Sequence, residues 1–179
     1  MPGKPRVPIR DPEVPLRVGI DFGGVMVRAS HWNRDDETSP QGTSEAERAT
    51  EGMFDSVRAI AAACAGRVWI VSKAGPRMQA RTLAWLRAVD FFARTDVTQD
   101  HVRFCLSRIA KDAICRELEI THFVDDRVHV MQILRKTVPH LYLFGERGEE
   151  RYCPPWATFV SSWAEVSALV IPRVSNGDQ

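Results

Sequence analysis

Leu16-Arg17-Val18-Gly19-Ile20-Asp21-Phe22-Gly23-Gly24-Val25 sets a carboxylate at the end of an apolar run and follows it at once with a glycine turn. Leu16 to Ile20 reads as a buried strand, so Asp21 is presented just beyond it. In open α/β sheets ligands bind outside the carboxyl ends of the strands, and a carboxylate there can ligate a metal or attack an electrophile. Two later strand ends repeat the arrangement: Arg67 to Val71 runs into Ser72 and Lys73, and Thr121 to Val124 runs into Asp125 and Asp126. A hydroxyl, an amine and an acidic pair therefore fall at matching positions.

Working outward, the first strand, about Arg17 to Asp21, is followed by a polar insert from Arg28 to Thr43 that reads as a loop or small flap. Ser44 and Glu47 form an S-x-x-E capping box, and Phe54, Val57, Ala61 and Cys64 recur at helical spacing until Gly66. Val68 to Val71 is a β-branched run fit for a buried strand. Pro76 suits the first turn of the next helix, whose Leu83, Leu86 and Val89 point inward. Val102 to Leu106 is short enough to be strand or buried helix; strand is favoured because it supplies the next parallel partner. Lys111 then opens a helix with Ile114 and Leu118 on its buried face. Thr121 to Val124 is the fourth strand, and a helix from about Arg127 to Lys136 buries Val130, Ile133 and Leu134 before Pro139 stops it. His140 to Phe144 reads as a fifth strand. Thr158 to Val160, with a Ser162–Glu165 capping box, makes a last β-α unit. Alternating strands and helices argue for a mostly parallel sheet in a Rossmann-like three-layer α/β sandwich.

The chain has 179 residues, 44% hydrophobic and 26% charged, which fits one domain with a proper core. That domain is expected over residues 16–171. Met1 to Pro15 holds five prolines and no apolar core of a signal peptide, so it reads as a disordered arm, and residues 172–179 as a flexible tail. Lys plus Arg total 24 against 23 for Asp plus Glu, so no global field indicates nucleic acid, and no stretch is long enough to span a bilayer. Cys64, Cys105, Cys115 and Cys153 lack metal-finger spacing and sit in apolar surroundings. Buried thiols and a cytoplasmic location are the expectation.

With these residues in view, the chain resembles the haloacid dehalogenase-like (HAD) superfamily. Its four motifs are a nucleophilic Asp after strand one, a Ser or Thr after strand two, a Lys, and an acidic pair; Asp21, Ser72, Lys111 and Asp125 with Asp126 fall in that order. The resemblance spans about Leu16 to Ile171 and implies a Mg²⁺-dependent phosphatase acting through an aspartyl-phosphate. In that frame Asp21 is the nucleophile, and Asp21, the Gly23 carbonyl, Asp125 and Asp126 hold Mg²⁺. Ser72 hydrogen-bonds a phosphoryl oxygen and Lys111 neutralises its charge. Family phosphatases usually carry a second Asp two residues after the nucleophile as general acid and base, and here Gly23 stands there. The chain thus carries a DxGGV variant of the first motif.

The residues themselves support part of this. Adjacent Asp125 and Asp126 repel unless a cation compensates them, and Asp125, nearer the strand end, is the better ligand; Asp126 reads equally as the cap of the helix that follows. Lys73 rivals Lys111 for the phosphate. Gly23 and Gly24 on the turn, and His31 and Arg34 in the insert, are candidate substrate contacts, although a surface loop explains the insert as well. His122 and His140 alternate with apolar residues and read as core or edge histidines.

The resemblance also implies a small phosphorylated substrate and an open site, since neither cap position can hold a large insertion. A homo-oligomer, or a partner subunit supplying a cap, stays open. The alternative is a HAD-like binding or regulatory module that keeps the phosphate and metal pocket without turnover. Gly19 to Gly24 is also similar to the first phosphate loop of sugar-kinase and actin-like ATPases, but Val25 replaces its Thr and the chain is too short for two such domains.

Overall fold

The computed structural model describes residues 14–28 and 49–171. Most of the proline-rich arm, nearly all of the insert, the Ser44–Glu47 box and the 172–179 tail lie outside the described residues. Six strands form one parallel sheet in the order β3-β2-β1-β4-β5-β6: β1 Val18–Ile20, β2 Val68–Lys73, β3 Val102–Cys105, β4 His122–Asp125, β5 His140–Phe144 and β6 Thr158–Val160. The helices between them are α1 Met53–Ala63, α2 Pro76–Ala88, α3 Phe91–Thr95, α4 Ala110–Glu117, α5 Val128–Leu134 and α6 Trp163–Val170. This is the three-layer architecture expected from the alternation of elements.

Strand periodicity builds the layers, because successive side chains point to opposite faces. Val18, Ile20, Val68, Ile70, Val124, Tyr142 and Phe144 face one core with α1, α3 and α6. Trp69, Val71, Phe123, Leu141 and Leu143 face the other with α4 and α5. Both faces of the sheet are covered, which explains why its strands read as apolar runs without alternation. Between Val18 and Ile20, Gly19 faces the second core, where a Cβ would lie 2.4 Å from Phe123 Cδ2. Only a glycine lets that ring press against β1.

Several boundaries differ from expectation. β2 runs two residues further than the apolar pattern suggests, because Ser72 and Lys73 pair with Phe104 and Cys105 of β3. Helix α5 ends at Leu134, well before Pro139, with the Leu134 carbonyl accepting from Thr137 and Val138. Helix α1 begins after Gly52, whose φ of 75° is left-handed, and has no side-chain cap. The short α3 had no periodic signal; it is held by buried Phe91 and Thr95. The Ser162 cap does form: its Oγ accepts from Glu165 N–H at 3.3 Å, while the Glu165 carboxylate accepts from Ser161 N–H at 2.7 Å, one residue before the cap.

Helix α6 also fixes the loop behind Asp21. Trp163 is fully buried, and its indole N–H donates to the Val25 carbonyl at 3.2 Å. His122 is buried and its ring lies 4.4 Å from that of His140, at the edge away from the strand C-termini. The four cysteines are thiols; burial raises Cys115 to about 12 and also raises Cys105 and Cys153. Among the described residues no helix is long and apolar enough to cross a membrane.

Candidate active site

Strand pairing brings the carboxylates together. Ile20 is opposite Val124, and Asp21 N–H donates to the Val124 carbonyl at 2.9 Å, so Asp21 and Asp125 leave adjacent strands side by side. Between them stands Lys111, from the first turn of α4, with Nζ 2.7 Å from Asp21 Oδ1 and 2.7 Å from Asp125 Oδ2. Lys111 is 2% exposed, its ammonium 5.4 Å from the centre of the Phe123 ring. Burial alone lowers a lysine pKa; here the charges of Asp21 and Asp125 outweigh it and hold Lys111 above its ordinary value.

Asp21, Asp125 and Asp126 each place a carboxylate oxygen within 4.8 Å of the others. Both Asp125 oxygens are engaged, Oδ2 by Lys111 and Oδ1 by the Arg127 N–H at 2.9 Å. That bond puts Asp125, not Asp126, at the head of α5, where Arg127 is the cap residue. Asp126 Oδ1 is buried without a hydrogen bond, although Arg127 Nε stands 3.3 Å away. Burial, then the Asp21 charge, pushes Asp125 up to about 7 and Asp126 up to about 6, against the opposing pull of the nearby cations. Three carboxylates against one buried ammonium, with one oxygen unsatisfied, is a donor set suited to a hard divalent cation. Asp126 is therefore the freer of the pair to act as ligand, the reverse of the order that distance from the strand end suggests.

The trio floors a cleft of about 410 Å³, whose walls include Gly23, Ser72, Lys73, Gly75, Arg108 and Arg127. Ser72 is buried and Lys73 exposed, at the end of β2. The head of α2 opens on the same cleft: Gly75 is its extended cap and Pro76 its first residue. Helix N-termini attract anions because their first N–H groups are unpaired and the helix dipole is positive there. Gly24 is not on the cleft wall. Its φ is 89°, and a Cβ there would lie 2.2 Å from Asp126 Oδ2, so only a glycine lets that carboxylate sit against the turn.

Lys111 and Lys73 thus occupy different places, the first locked between carboxylates and the second on the outer wall. His31 and Arg34 lie outside the described residues. Sequence reasoning missed Arg108 and Arg127. The signal for Arg108 was weak, three residues before Lys111 in an irregular segment; that for Arg127 was its adjacency to the acidic pair.

No protein-family model and no curated protein matches the chain. Solved structures do. A D,D-heptose 1.7-bisphosphate phosphatase from B. bronchiseptica, complexed with magnesium and phosphate, superposes with a TM-score of 0.54 at 16% identity, covering 86% of this chain and 97% of that one. A HAD family hydrolase from Deinococcus radiodurans R1, with bound phosphate and sodium, gives 0.57 at 15% identity over 90% and 100% of the two chains. A haloacid dehalogenase-like hydrolase from Burkholderia xenovorans LB400 gives 0.50 at 16% identity over 69% and 58%. At these identities the likeness is one of architecture: the chain has the haloacid dehalogenase-like fold.

Proposed function

We propose that this protein is a Mg²⁺-dependent phosphomonoester hydrolase that works through an aspartyl-phosphate on Asp21. The observation that carries the reading is the buried Lys111 ammonium shared at 2.7 Å by Asp21 and Asp125, with Asp126 beside them on the cleft floor. The magnesium- and phosphate-bound fold neighbour supports the choice of metal and substrate class. Asp21, Asp126 and Asp125 would hold Mg²⁺, which when bound supplies charge that offsets repulsion between carboxylate and phosphate.

Lys111 takes Asp21 Oδ1, leaving Oδ2 to attack phosphorus. The bond from phosphorus to the ester oxygen breaks, and the alkoxide takes a proton from solvent or from a group of the substrate. Water then attacks the acyl phosphate, restores the carboxylate and releases inorganic phosphate. Ser72 and the head of α2 face the cleft where they would bind the transferring oxygens. Gly23 offers no side chain to protonate the leaving group. Placed acids contribute about 10²–10⁴-fold, so esters with good leaving groups should be turned over far faster than alkyl esters.

Gly23 also favours the second reading, a phosphate- and metal-binding module without turnover. Assay of the purified protein with Mg²⁺ or EDTA on an activated aryl phosphate and a panel of alkyl phosphates separates the two. Metal-dependent release of phosphate supports the enzyme; metal and phosphate binding without release supports the module.

A further inference from the structure

Two cations on the cleft wall take no part in the phosphoryl-transfer steps. Lys73 ends β2 and Arg108 lies in the segment after β3; because Lys73 pairs with Cys105, that segment starts beside it. Both side chains are exposed, and among the described residues neither forms a hydrogen bond or an ion pair. Arg108 has little to pack against: Leu106 and Ile109, its neighbours in the segment, are 72% and 71% exposed. Two like charges on one wall, without an acidic partner, leave a positive site facing the cleft.

Charge balance says what the site can take. On the floor, the three carboxylates exceed Lys111 by two charges, which one divalent cation cancels. Arg127, Lys73 and Arg108 then bring three positive charges, and a phosphomonoester dianion uses two. One remains for another anion. Arg108 suits it, since a guanidinium fork binds a carboxylate or phosphate through two parallel hydrogen bonds. A cleft of about 410 Å³ fits a small molecule.

Resting on the phosphatase reading, we infer that Arg108, with Lys73 beside it, forms an anion subsite next to the phosphoryl site, so that the substrate is a small phosphomonoester carrying a second anionic group. The test uses a matched pair, phosphoglycerate and glycerol phosphate, which differ by a carboxylate. The full chain with Mg²⁺ should favour phosphoglycerate in kcat/KM by about tenfold or more, the scale of one charge-assisted hydrogen-bonded pair. Arg108→Gln should lower that preference to within about threefold of unity, whatever it does to the glycerol ester. Calorimetry of both ligands on the Asp21→Asn protein should give the same order of affinities and the same loss with Arg108→Gln added. Equal kcat/KM in the unmodified protein, or a preference that Arg108→Gln leaves intact, overturns the subsite. If neither ester is hydrolysed but binding still discriminates through Arg108, the subsite stands and the catalytic reading falls.

Discussion

Replacing Lys111 with Met removes the one buried cation that Asp21 and Asp125 share, each at 2.7 Å, while keeping an unbranched stem over Phe123. Asp125 is wholly buried and Asp21 meets water only through the cleft, so solvent compensates neither carboxylate fully. Breaking a buried pair by deleting one partner costs about 3–5 kcal/mol, because the remaining charge is left uncompensated. For a domain of this size each kcal/mol is about 2–4 °C, so the metal-free Lys111→Met protein should melt about 6–20 °C below the parent at pH 8. The loss has a signature beyond its size. Asp125 already titrates near 7 with Lys111 present and climbs higher without it. Lowering the pH to 6 then protonates the orphaned acid and recovers much of the difference. Thermal melts by circular dichroism at the two pH values, with EDTA present, measure both. A difference under about 2 °C at pH 8, or one that does not shrink at pH 6, would refute the view of Lys111 as the buried counter-charge.

Asp126→Asn should stabilise the metal-free protein by about 1–3 kcal/mol at pH 8, since it removes a buried, unsatisfied charge whose pKa is raised to about 6, and should abolish the melting shift that Mg²⁺ gives the parent. For pH, both raised carboxylates hold protons more tightly folded than unfolded, so their contribution to metal-free stability is full below the ordinary carboxylate value of 3.8 and lost as pH rises through about 6 and about 7. Mg²⁺ competes with those protons, so the melting shift it produces, measured by scanning fluorimetry, should be large at pH 8 and small at pH 5.5. Gly24→Ala puts a methyl 2.2 Å from Asp126 Oδ2 at a φ of 89°, and titration calorimetry should register at least about tenfold weaker Mg²⁺ binding along with about 1–3 kcal/mol of lost stability.

The succession of strands and helices along the chain, and the placing of Asp21, Ser72 and Asp125 at strand ends, were readable because they depend on local rules. Apolar runs mark buried parallel strands, and the turn after Ile20 needs glycine. Pairing between distant segments was harder to read. Ser72 and Lys73 look like loop residues until β3 is laid against them. Asp125 looks the freer ligand until Lys111 and Arg127 are seen to occupy it. That Gly24 must be glycine to admit the Asp126 carboxylate shows only once the turn and the end of β4 are brought together. Phe91 and Trp163 are core residues with partners far away in sequence, Phe54 and Val25, so periodicity gave them no mark. Arg108 differs from other surface arginines only through where its segment crosses the sheet edge.

The proposed hydrolase depends above all on Asp21 as the carrier of the phosphoryl group. The most direct measurement is acid-quenched turnover of an activated aryl phosphate with Mg²⁺, followed by peptide mass spectrometry, on the parent protein and on Asp21→Asn. The expected result is metal-dependent turnover with a phosphoryl group on the peptide containing Asp21, both absent from the variant. Undiminished turnover by Asp21→Asn, or a phosphoryl group found on another residue, would contradict it.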